Sequence, residues 1–278
     1  MIPATFDYEV AASVEHAVSL LGSREDAKLL AGGHSLIPLL RLRFSRPSLL
    51  VDIGRIGELS YVRDAGEQLA IGALTRHRAL REDPLLQEHC PIVSHTAGLI
   101  GDPQVRHRGT IGGSLAHGDP ASDLPAVMLA LGAELVVSGP GGERTVAAGE
   151  FFRGVFETAV GPEELLTEIR VPKLGSWTGW SYLKYTRRAQ DWATIGVAAI
   201  VRRQNGSVDE ARIALTNMAP TPVRASATEQ ALVAGEDDAA VHIADESDPP
   251  ADTAASAEFR SHLARVLGRR ALEEALNR

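Results

Sequence analysis

Two short stretches gather the groups that can hold a ligand: AGGHS at residues 31–35 and GTIGGS at residues 109–114. Glycine takes positive φ without strain, so successive amide N–H groups can converge on one concavity. Such a concavity suits an anion, and phosphate above all. Each stretch carries a hydroxyl at its end, Ser35 and Ser114. The residues leave two readings open: a pair of tight turns, or a pyrophosphate held from two sides. The familiar nucleotide cradles are excluded, because neither GxxxxGK(S/T) nor GxGxxG after a strand is present.

Other chemistry is thinly represented. HExxH and GxSxG are absent. The nine histidines are scattered, and His77 and His107 each lie between two arginines, which would repel a metal. Asp119 and Asp123 have the i, i+4 spacing of a carboxylate pair on a helix, but Pro120 argues against a helix through both. Asp119 reads equally as a cap or turn residue. The arginine-rich RLRFSR at 41–46 reads as a solvated face.

The elements that must position the two glycine stretches follow from periodicity and punctuation. Ser13 before Val14, Ala17, Val18 and Leu21, with Gly22 after them, predicts a capped amphipathic helix. KLLA (28–31) predicts a short buried strand leading into the first glycine stretch, LIPLLRLRF a short helix, and LLVDI (49–53) a second buried strand. Alternation around Asp64-Ala65-Gly66 predicts a hairpin, and 75–82 and 91–99 read as helices. The second glycine stretch shows no regular hydrophobic period and reads as a loop. DLPAVMLAL (123–131) predicts a helix closed by Gly132, with ELVVSG and ELLTEIRVP as strands after it. From Trp180 onward YLKYTRR, ATIGVAAIVRR and EARIALTNM predict a three-stranded antiparallel meander, turned once at Asn205-Gly206. ATEQALVAG and AEFRSHLARVLGRRALEEAL read as helices, with the polar DESDPPADTA as a loop between them. The natural boundary lies at 172–179, PKLGSWTG.

Composition bounds the class. The chain has 278 residues, 44% hydrophobic and 23% charged, which is long enough for two domains with sizeable cores. A formal net charge of −8 and the lack of a basic stripe argue against nucleic acid as a partner. Cys90 is the only cysteine, so the chain builds no disulfide and no cysteine-ligated iron–sulfur cluster; Cys90 reads as a small buried hydrophobe. No apolar run approaches the ~18 residues of a membrane span, and no signal-peptide pattern opens the sequence, so a cytoplasmic chain without a transmembrane segment is expected.

AGGHSLIPLLRLRFSRPSLLVDIGRI, GDPQVRHRGTIGGSLAHGDPASDLPAVMLALGAEL and YTRRAQDWATIGVAA, taken together, resemble the flavin-binding medium subunit of the molybdenum hydroxylases, the group of aerobic carbon monoxide dehydrogenase and xanthine dehydrogenase. The resemblance covers nearly the whole chain, TPVRASATEQAL and the last helix included. It implies an α+β fold: a PCMH-type FAD-binding domain over 1–175, built of two α+β subdomains (about 1–55 and 56–175), then a C-terminal flavoprotein domain over 176–278 with a three-stranded antiparallel sheet and a helical bundle. It implies non-covalent FAD, with molybdopterin and [2Fe-2S] clusters only in a large and a small partner subunit, assembled as a dimer of heterotrimers. The work implied is electron transfer from the iron–sulfur subunit through FAD to an external acceptor. A stand-alone FAD-dependent oxidoreductase of the same superfamily and a flavin-free scaffold subunit are the alternatives.

Residue by residue, Ala31, Gly32, Gly33, His34, Ser35 and Leu36 match the family's first FAD loop, and Thr110, Ile111, Gly112, Gly113 and Ser114 the second. Asp123 matches an acid on the ribose–ribityl side of the cofactor, Leu166 an apolar contact, and Lys184 a lysine near the flavin. Tyr185 matches a position beside the isoalloxazine, or else is a half-exposed strand aromatic. No residue of the chain is expected to be catalytic or to bind metal. One branch of the family adds a cysteine-ligated cluster to this subunit, and a single cysteine places the chain outside that branch.

Overall fold

In the computed structural model, which describes residues 1–278, the first helix starts where its cap residue predicts. The Ser13 hydroxyl accepts the His16 N–H, and α1 runs Val14–Gly22 with Ala17 and Leu21 buried. Three short parallel strands, β1 (Asp7–Val10), β2 (Lys28–Leu30) and β3 (Leu49–Asp52), form a sheet in the order β1-β3-β2. The expected strand at 28–31 is present but only half-buried, because β2 is an edge while β3 holds the centre. Between them α2 (Leu36–Leu42) follows the first glycine stretch directly.

The second layer is a five-stranded antiparallel sheet with six helices inserted into it. The hairpin of β4 (Val62–Ala65) and β5 (Gln68–Gly72) turns at Gly66-Glu67, slightly later than the sequence suggested, with Gly66 at φ +80°. Then come α3 (His77–Glu82), α4 (Pro84–His89), α5 (Pro91–Leu99), α6 (Pro103–Arg108), α7 (Ile111–His117) and α8 (Asp123–Leu131). The chain returns through β6 (Glu134–Gly139), β7 (Gly142–Ala147), α9 (Ala148–Phe151) and a small hairpin of β8 (Phe152–Gly154) and β9 (Glu157–Thr158). Strand β10 (Leu165–Pro172) closes the sheet between β5 and β6 in the order β4-β5-β10-β6-β7. Helices α4 and α6 were not expected, yet each opens on the same signal. Asp83 and Asp102 cap a proline at the first helical position, accepting the Leu86 and Val105 N–H groups.

The last third is the expected meander with one addition. Strands β11 (Thr178–Tyr185), β12 (Ile195–Gln204) and β13 (Ser207–Thr216) pair antiparallel, and a two-residue β14 (Val223–Arg224) makes the sheet four-stranded. Asn205 and Gly206, at φ +53° and +84°, form the tight turn. Seven consecutive residues of β12, from Ile195 to Val201, are buried, because both faces of the sheet are covered. Ile195, Val197, Ala199 and Val201 pack with α11 (Ala257–Leu276), while Ala198 and Ile200 join the main core beneath α8. Helix α10 (Ser226–Ala234) and a 3-10 turn at Ala239–His242 group with α11. No helix is long and apolar enough to cross a membrane.

Candidate functional site

The first glycine stretch is a nest of free donors. The backbone N–H groups of six consecutive residues, Ala31 to Leu36, donate to no acceptor in the protein. Gly33 lies at φ +81°, which turns the chain so that the amides of Ala31 to Ser35 fall between β2 and α2 and that of Leu36 opens the helix. Ser35 stands at the N-cap of α2 without a side-chain capping bond, and His34 is exposed. This is the donor set that an anionic group needs.

The two glycine stretches meet. A β-carbon on Gly32 would fall 2.5 Å from the Arg108 carbonyl oxygen and 3.0 Å from the Gly109 Cα. One on Gly113 would lie 3.9 Å from the Ala31 Cβ. The second stretch, however, is not a loop. Residues Ile111–His117 form α7, capped by Thr110, whose hydroxyl oxygen accepts the Gly113 N–H. The Ile111 amide donates to the Thr75 carbonyl and the Gly112 amide to the Ala73 carbonyl. With the Ser114 amide donating to the Thr110 carbonyl, four of the amides expected to line a concavity are therefore already engaged. Gly112 is small for a different reason: its β-carbon would lie 2.5 Å from the Ala73 Cβ and 2.7 Å from the Ala73 oxygen. It allows α7 to pack against the chain just after β5. Ser114 stays half-exposed, its hydroxyl unpaired in the protein.

Positive charge surrounds the junction. The Arg76 guanidinium donates to the Arg108 carbonyl, bracing the backbone that abuts Gly32. His77, 3% exposed, lies behind Gly109 and donates its own N–H to the Gly109 carbonyl. Burial holds its imidazole down to about 4, and the charges of His34, Arg106 and Arg76 act in the same direction. In an acidic chain, this is a local field suited to an anion.

A second cluster joins the middle layer to the C-terminal sheet. Asp123 opens α8 and is 5% exposed. Its Oδ1 accepts the Tyr182 hydroxyl at 2.7 Å, and its Oδ2 the Lys184 ammonium at 2.9 Å. The Lys184 side chain is 6% exposed, so the ion pair is buried. Burial pushes the Asp123 carboxyl up, while the Lys184 charge and the hydrogen bonds from Lys184 and Tyr182 pull it back. Tyr185, at the end of β11, is half-exposed and meets Phe259 edge-on, with ring centroids 6.4 Å apart. Leu166 is buried in the main core, paired with Val137 on β6 beside a bulge in β10.

Sequence reasoning missed Tyr182, Arg76 and His77 as parts of these clusters. Tyr182 was within reach, because residues 182 and 184 share one face of a strand. Arg76 and His77 carried no such signal: their partners lie some thirty residues away and are backbone groups. Cys90 is fully buried, its thiol pushed up to about 12 by burial, as its bland reading required.

Residues 4–174 match the family described as the FAD binding domain in molybdopterin dehydrogenase, and residues 180–275 match the CO dehydrogenase flavoprotein C-terminal domain. The chain belongs to the FAD-binding family of the molybdopterin dehydrogenases. Within it, the chain is a medium, FAD-binding subunit of the molybdenum hydroxylase class. It is 44% identical to the carbon monoxide dehydrogenase medium chain of Hydrogenophaga pseudoflava, over 99% of this chain and 98% of that one. It is 41% identical to subunit alpha of the 6-hydroxypseudooxynicotine dehydrogenase complex of Paenarthrobacter nicotinovorans, over 100% and 97%. A solved carbon monoxide dehydrogenase from Hydrogenophaga pseudoflava superposes with a TM-score of 0.96 at 46% identity, covering 99% of this chain and 98% of its own. Quinoline 2-oxidoreductase from Pseudomonas putida 86 gives 0.95 at 31%, covering 100% and 99%.

Proposed function

We propose that this chain carries one non-covalent FAD and passes electrons from an iron–sulfur subunit to an external acceptor, inside a three-component molybdenum hydroxylase. The observation that carries the reading is the nest of six unpartnered amides at Ala31–Leu36. Ala31, Gly32, Gly33, His34, Ser35 and Leu36 hold the pyrophosphate, with Arg76 bracing the opposite wall. Thr110, Ile111, Gly112, Gly113 and Ser114 form that wall, where the Ser114 hydroxyl is the free polar group and the helix, capped by Thr110, is the frame. Asp123, Lys184, Leu166 and Tyr185 flank the rest of the cofactor. Bound FAD supplies the redox chemistry; the protein binds it, orients it and sets the charge around it.

The division at about residue 175 follows the same reading, with an FAD-binding domain over 1–175 and a C-terminal domain over 176–278. Large molybdopterin-binding and small iron–sulfur subunits complete a cytoplasmic dimer of heterotrimers. With one cysteine the chain has no cluster of its own to relay electrons from a substrate, so on its own it hydroxylates nothing.

The test compares two glycines. Gly33→Val forces a branched side chain to φ +81°, a strain of about 1–3 kcal/mol, and disturbs the nest. The variant is expected to stay folded and to purify nearly colourless, against about one acid-releasable FAD per wild-type chain. Gly112→Ala strikes Ala73 and costs about 1–3 kcal/mol of stability, so its melting temperature falls while residual folded protein keeps its flavin. Full flavin occupancy in Gly33→Val would remove the proposed site.

A further inference from the structure

Tyr182 has no place among the expected cofactor contacts, yet it is among the most completely enclosed side chains of the molecule, 1% exposed. It lies in a niche cut for it. Gly196 stands opposite Lys184 on the neighbouring strand, and a β-carbon there would fall 2.5 Å from the Tyr182 hydroxyl oxygen and 3.0 Å from the Thr216 hydroxyl. The absent methyl group is what admits the phenol oxygen. From that position Tyr182 donates to Asp123 Oδ1 at 2.7 Å, while the Thr216 hydroxyl lies 3.4 Å away. The Tyr182 carbonyl, in turn, meets His95 Nε2 at 3.2 Å from α5.

The Asp123 carboxylate thus has one oxygen fixed by a neutral donor and the other by the Lys184 ammonium. Burial and the Asp123 charge hold the Tyr182 phenol well above its ordinary range, so at neutral pH it is a protonated donor. The polar groups that act on the carboxylate are two, Tyr182 and Lys184, both on β11; His95 on α5 meets only the Tyr182 carbonyl, and Asp119 in the turn before α8 accepts the Ala121 N–H. Remove the phenol hydroxyl, and the buried carboxylate loses one of its two supports. Its affinity for a proton then rises, and Lys184 loses its counter-charge whenever that proton is bound.

We propose that Tyr182 is a positioning residue, holding Asp123 ionised and aimed so that the Lys184 ammonium beside the flavin stays paired and fixed. The inference rests on the proposed placement of Lys184 at the cofactor. Charge held near a flavin sets its electronics, so the pairing state of Lys184 is readable in the flavin itself.

The experiment measures the flavin midpoint potential from pH 5 to pH 9 in the full FAD-loaded chain, for the wild type and for Tyr182→Phe, with flavin content and melting temperature recorded on each. The two potentials are expected to agree at alkaline pH. They diverge as the pH falls, with the variant more positive, as Asp123 takes up a proton and leaves Lys184 unpaired. Gly196→Ala displaces the hydroxyl without deleting it and is expected to show the same divergence; it serves where Tyr182→Phe folds poorly. Thr216→Val removes only the longer contact and should follow the wild type. Potentials that coincide at every pH, or differ by a constant offset, overturn the role given to Tyr182. A wild-type chain that takes up no FAD removes the site reading, and this inference with it.

Discussion

His77 shows how a single residue can report on the packing of the two glycine stretches. Its imidazole is neutral in the folded chain, with the proton leaving at about 4 against an ordinary value of 6.5. Between those values the unfolded chain binds more protons than the folded one, so stability rises with pH across that window. The contribution is whole above pH 6.5 and is lost as the pH falls toward 4, by about 3 kcal/mol at most. Urea unfolding from pH 7 to pH 4 should show a steeper loss for the wild type than for His77→Phe, which has no proton to gain. Parallel curves would mean that His77 is solvated. Neither the burial nor the orphaned Nδ1 of this histidine is visible in the run Arg76-His77-Arg78, since both come from α5, α6 and Gly109 closing over it.

At the scale of the element, α7 is the instructive case. It reads as a loop because Gly112 and Gly113 erase the hydrophobic period that would announce a helix. Its ends were nonetheless written in the sequence. Thr110 caps it, and Gly118, at φ +64°, stops it in the left-handed conformation. Ile111 and Leu115, four apart, form its buried stripe. Thr110→Ala removes the acceptor of the Gly113 N–H and is expected to cost about 0.5–2 kcal/mol, read as a lower melting temperature. Thr110→Ser should recover most of it, because the capping oxygen is retained. The meander after Trp180 is legible for a different reason: β12 is a continuous apolar run flanked by a tight Asn205-Gly206 turn, and both faces of its sheet are covered.

Across the whole molecule, the Asp123–Lys184 pair ties α8 of the middle layer to β11 of the C-terminal sheet. Lys184→Met leaves a buried carboxylate without its cation and is expected to cost about 3–5 kcal/mol in denaturant unfolding. Adding Asp123→Leu should restore much of that stability, because no uncompensated charge then remains. A double variant as unstable as the single one would show that packing, not charge, is at stake. By itself the sequence determined the α+β class, the main strands and several of the helices, the meander after Trp180 and the position of the two glycine stretches, because propensity, capping and periodicity act over a few neighbouring residues. Tertiary structure alone decided which of the stretches offers free amides. Ala31–Leu36 meets no partner strand, whereas the amides of Ile111 and Gly112 are taken by carbonyls of Thr75 and Ala73, nearly forty residues earlier in the chain. It also decided that Asp123 would be paired with Lys184 and Tyr182 rather than with Asp119. Hydrogen bonds and charge pairs between distant segments depend on how the layers close, and no local pattern carries that information.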